Sequence, residues 1–132
     1  MGEIYHNELK IDDHWHSLIE RGIKTVEIRK ADFNWRYVKP GVTINIVRSS
    51  DGLILGRVVK AVRFYHQQDL PQLKDIDDKG VIGYKLLKYV IGQERITRIL
   101  PGIGGMRKAV NFYFGAWTSS EIFENGLMAI EF

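Results

Sequence analysis

Hydrophobic and polar positions alternate in short runs through the first half of this chain and fall into helical spacing in parts of the second. Residues 5–11 alternate, with Leu9 and Ile11 on one face and Lys10 on the other, which predicts a strand. Asp12 or Asp13 is placed to cap a short helix carrying Trp15, Leu18 and Ile19 at i, i+3 and i+4, and Gly22 closes it. Residues 25–29 switch to period two: Val26 and Ile28 point one way, Thr25, Glu27 and Arg29 the other. The break Lys39-Pro40-Gly41 introduces a strand over 42–48. Ser49-Ser50-Asp51-Gly52 then predicts a tight antiparallel turn into a long returning strand over 53–65, with room to bend near Gly56.

The second half carries a weaker pattern. Residues 70–79 form an acidic loop or turn, and 81–91 a helix with Leu86, Leu87, Val90 and Ile91 inward. Pro101, Gly102, Gly104 and Gly105 make a flexible loop suited to a flap, with Arg107 and Lys108 at its exit. Residues 109–124 fit either strand or helix, Asn125-Gly126 marks a turn, and 127–132 alternate as a closing strand. No repeat or linker interrupts the pattern, so residues 1–132 are taken as one domain of α+β class on a curved sheet or small barrel.

Composition narrows the function classes. The values of 45% hydrophobic and 27% charged residues are those of a globular chain. The absence of cysteine excludes disulfides, cysteine-held metals and thiol chemistry. Neither a membrane-length apolar run nor a signal-peptide-like start is present, so a soluble, intracellular, cytoplasmic protein with no membrane partner is expected. Net charge is only +3, but residues 21–63 carry ten basic against three acidic side chains, a net +7. That stretch is an electrostatic footprint for phosphates, or simply a run of solvent-facing strand positions. His14 and His16 lie about 200° apart on a helix and cannot share a metal, so no metal or other cofactor is expected.

The chemistry concentrates at 22–29. Same-face neighbours on a strand sit roughly 6.6 Å apart. With Arg29 on the same face and Lys24 at the strand's entrance, that spacing suits a carboxylate flanked by cations: Glu27 can take a proton or orient a water while they hold an anion. The plain alternative is an exposed strand face with a weak ion pair. Trp35-Arg36-Tyr37, in the following loop, interleaves aromatic and basic residues as base stacking over a phosphate track requires. Lys10 and Lys30 extend the candidate ligand contacts. The glycine-rich loop at 101–105 lacks the Gly-Lys-Ser/Thr ending of a nucleotide-triphosphate loop.

The run Gly22-Ile23-Lys24-Thr25-Val26-Glu27-Ile28-Arg29, preceded by Asn7-Glu8-Leu9-Lys10-Ile11 and a short amphipathic helix, resembles the ASCH domain family, whose signature is Gly-x-Lys-x-x-Glu-x-Arg. The resemblance implies a small PUA-like β-barrel of five or six strands with two or three helices, with residues 67–125 a longer insertion. It also implies an RNA, nucleotide or nucleoside partner. One branch of the family hydrolyses acetylated cytidine with a Lys, a nucleophilic Thr and a distal Glu. By position the Lys falls on Lys24, but the Thr falls on Glu27, with Thr25 on the same strand face at another depth. Asp75, Asp77 and Asp78 are nearest to the distal acid. Another branch comprises ribonucleases, in which the Lys, Glu and Arg serve phosphate binding and proton transfer. Binding module and hydrolase both remain open, with Lys24, Glu27 and Thr25 the candidate catalytic residues. An adaptor using 67–125 as its interface is a third reading.

Overall fold

A computed structural model describes residues 7–32, 35 and 38–132. The expected strand at the start is described as β1 (Glu8–Ile11), its first residues lying outside the described ones. Next come α1 (Asp13–Glu20), β2 (Val26–Lys30), β3 (Thr43–Arg48), β4 (Ile54–Val58) and β5 (Ala61–Tyr65). Two short 3₁₀ turns at 67–73 lead to α2 (Lys79–Glu94), α3 (Ile96–Ile99), α4 (Met106–Phe114), α5 (Ser119–Asn125) and β6 (Leu127–Glu131).

The class is α+β, but hydrogen bonding divides the strands into two three-stranded sheets, β1-β3-β4 and β2-β6-β5. They do not close into one barrel among the described residues. The returning strand expected over 53–65 is two strands. Its break lies at Val59-Lys60 rather than Gly56: the Val59 amide donates to Val42, just ahead of β3 in the first sheet, and the Lys60 amide to Glu131 in the second. A strand that turns this corner ties both sheets with one segment. The hairpin between β3 and β4 forms as expected, but through a four-residue turn in which only Gly52 takes positive φ, at +76°. Asp51 accepts from the Leu53 amide at 3.1 Å and pairs with Arg48, which replaces the tight two-residue turn. β1 pairs with β3 in parallel, not through a hairpin.

Helices exceed the two or three expected. Residues 109–124 resolve as α4 and α5, separated where Thr118 and Glu121 form a reciprocal capping box. Asp12 sits at the start of α1, but its side chain makes no capping bond; the Gly22 and Ile23 amides close the helix on Ile19 and Leu18. α2 supplies Leu86, Leu87, Val90 and Ile91, all fully buried, so the segment after residue 67 builds the core instead of decorating it. α2 and α5 approach so closely that a methyl group at Gly83 would lie 1.9 Å from the Ser119 carbonyl oxygen. β6 runs between β2 and β5, placing the chain's last strand beside the segment with the candidate chemistry.

Candidate functional site

β2 alternates as its sequence requires. Val26 and Ile28 are buried, while Glu27 and Arg29 line a cleft of about 160 Å³. Lys24, just before the strand, is 1% exposed. Its ammonium group donates to the carbonyl of Val26 at 2.7 Å, to the carbonyl of Ile99, and lies 3.0 Å from Glu27 Oε1. Three donors meet three acceptors, which is how a buried amine offsets its lost hydration. The Ile99 carbonyl is delivered by the bend between α2 and α3, where Arg95 takes a positive φ of 72°.

Glu27 is 13% exposed and lies between two cations, with Arg29 Nε at 2.9 Å from Oε2. Arg29 also donates to the Lys10 carbonyl at 3.0 Å, joining β2 to β1 across the cleft floor. Burial alone would raise the Glu27 pKa, but the charges of Lys24 and Arg29 outweigh it and hold the carboxyl below its ordinary value. Lys24 moves down because burial outweighs the pull of Glu27.

The same cleft is lined by Trp15 from α1, Phe112 and Tyr113 from α4, and Trp117 beyond it. Tyr113 stacks on Trp117 with centroids 5.5 Å apart and an interplanar angle of 12°. Phe112 meets Trp15 edge-on at 5.6 Å. Among the described residues, the Tyr113 hydroxyl is the one buried side-chain polar atom without a hydrogen-bond partner. Burial first, and the charge of Glu27 second, keep it protonated well above the ordinary phenol range.

Of the residues singled out in the sequence, Lys10, Lys24, Glu27 and Arg29 are brought together at the cleft. Thr25 is half-buried outside its wall, its backbone tied to Arg98 and Phe132. Lys30 pairs with Glu121 at 2.7 Å. Trp35 is 6% exposed within the hydrophobic core, and Arg36 and Tyr37 lie outside the described residues. The sequence reading missed the aromatic wall. The Thr118-x-x-Glu121 box was the available signal: it starts a helix at 119 and so assigns the preceding aromatics to another one.

The ASCH domain family matches residues 9–96. The chain belongs to that family. It is similar to the crystal structure of a hypothetical protein, PH0355, with TM-score 0.69 and 25% identity over 94% of each chain. It is also similar in fold to the solution structure of protein PF0455 from Pyrococcus furiosus, with TM-score 0.63 and 22% identity over 94% of this chain and 92% of that one. No curated protein matches it. At 94% coverage, the shared fold extends past residue 96 into the helices that carry the aromatic wall. No described helix is long and apolar enough to cross a membrane.

Proposed function

We propose that this ASCH protein binds RNA or a nucleotide in the cleft floored by Lys24, Glu27 and Arg29, as part of intracellular RNA metabolism. The observation that carries this reading is a cation-flanked carboxylate that shares the lining of one cleft with four aromatic side chains. The carboxylate accepts from base N–H groups, Arg29 and Lys10 attract phosphate, and Trp15 and Trp117 present ring surface to a base. The general association of the family with RNA supports it. Gly22, Lys24, Glu27 and Arg29 are here the family's signature positions. Lys24 shapes the site by fixing Glu27, because its own donors are engaged within the fold. The two sheets are, on this reading, the halves of a PUA-like barrel.

A hydrolase is the second reading, favoured by one observation: a buried amine with lowered pKa lies 3.0 Å from a carboxylate. Thr25 is outside the cleft wall, so water would be the nucleophile on RNA or on a modified nucleoside. Titration of nucleosides, nucleotides and short single-stranded RNA, with turnover followed in parallel, separates the two. Binding without turnover supports the module, and affinity that falls linearly in log salt shows phosphate contacts. Turnover that drops by about 10²–10⁴-fold in Glu27→Gln would establish the enzyme. An absence of both binding and turnover would overturn both readings.

A further inference from the structure

Resting on the nucleotide-binding reading, we propose that the cleft admits one unstacked base and that Tyr113 is the residue that reads its edge, donating its hydroxyl hydrogen to an acceptor on the base. Four observations converge. At about 160 Å³ the cleft lies below the roughly 300–1,000 Å³ of sites that enclose a drug-sized ligand, so it fits a single heterocycle and leaves ribose and phosphate outside. One face of the Tyr113 ring is taken by Trp117, which makes the hydroxyl its free chemical handle. That hydroxyl has no hydrogen-bond partner among the described residues, although Tyr113 is only 3% exposed, and an unmade buried hydrogen bond is costly. Glu27, which lines the same cleft, uses Oε1 for Lys24 and Oε2 for two Arg29 nitrogens, which leaves one acceptor site of the carboxylate for a ligand N–H. A donor and an acceptor in one small cleft match a base edge that carries a carbonyl or ring nitrogen next to an N–H. Phe112, which is 37% exposed and lines the same cleft, packs edge-on against Tyr113 with ring centroids 5.3 Å apart.

Tyr113→Phe removes the hydroxyl and leaves the ring stack. Binding of the four nucleoside 5′-monophosphates and of ribose 5-phosphate is measured by tryptophan fluorescence, alongside thermal unfolding. Wild type is expected to prefer at least one nucleotide over ribose 5-phosphate. Tyr113→Phe should lower that affinity by roughly 3- to 10-fold while leaving Tm equal or higher, because no hydrogen bond is lost on folding. Equal nucleotide affinity in wild type and Tyr113→Phe would overturn the role of Tyr113 alone. Equal binding of nucleotides and ribose 5-phosphate would overturn base insertion while sparing phosphate binding. Wild type that binds none of them, nor RNA, would overturn the underlying reading as well. If Tyr113→Phe fails to fold, the same comparison is made on wild type with nucleotides whose base lacks the exocyclic oxygen or amino group. An unchanged affinity there overturns the proposal.

Discussion

Two carboxylates in this fold have the same companions, an arginine and a tyrosine, and use them differently. Glu94, on α2, is 2% exposed and receives two bonds from Arg63 and one from the Tyr65 hydroxyl. Arg63 continues to Glu131 at 2.9 Å, and Arg98 reaches Glu131 at 2.8 Å, so β5, β6, α2 and α3 are tied into one network. Glu27 is held by Arg29 and Lys24, yet the hydroxyl of Tyr113, which lines the same cleft, has no hydrogen-bond partner among the described residues. The first network is closed and accounts for its own polar groups, as a structural network must. The second is closed on the protein side and open towards a cleft. What separates a site from a strut here is the unassigned donor rather than the ion pair.

The largest effect that can break this contrast is expected at Lys24. Lys24→Met leaves two carbonyls and Glu27 without their buried partner, and should cost about 3–5 kcal/mol in urea unfolding. A cost no greater than that of Lys10→Met would show that Lys24 does not hold the cleft together. Next comes Tyr65→Phe, which removes a bond to a buried charged carboxylate and should cost about 1.5–3 kcal/mol by the same assay.

Acid titration tests both networks together. Glu27 and Glu94 are both held below their ordinary value: burial opposes ionisation in each, and the cations, with the Tyr65 hydroxyl at Glu94, overcome it. A folded pKa below the unfolded one contributes stability above the unfolded value that is lost as pH falls through the folded one. Stability should therefore hold down to about pH 5 and fall away below the usual carboxylate range. Urea midpoints that stay constant through that acid range would contradict the ionised state of both groups. The smallest effect is the sharpest discriminator. Tyr113→Phe should shift stability by no more than about 0.5 kcal/mol, or raise it, since no folded-state bond is removed. A loss matching that of Tyr65→Phe would mean the two tyrosines play the same part.

The charged half of the site was legible because its residues are consecutive on one strand. Period two over 25–29 is enough to set Glu27 beside Arg29 and to bury Val26 and Ile28. The hairpin over β3 and β4 was legible for the same local reason. The aromatic half was not, because Trp15 and Trp117 are 102 residues apart and reach the same cleft only through tertiary packing. Nor did local pattern show that one alternating run would divide between two sheets at Val59-Lys60, since that break is set by the bonding partners Val42 and Glu131. Lys24 looked like a surface cation for a ligand. Its burial depends on the Ile99 carbonyl 75 residues away, which no spacing within the motif encodes.

Binding of nucleotide or RNA at the Glu27 cleft can be followed by titrating short single-stranded RNA into the labelled protein and recording backbone and tryptophan side-chain shifts by NMR. Shifts should cluster on Lys10, Trp15, Lys24, Glu27, Arg29, Tyr113 and Trp117, leaving Arg63, Tyr65 and Glu94 in place. Shifts centred on Arg63 and Glu94, or none at either network at millimolar RNA, would contradict it.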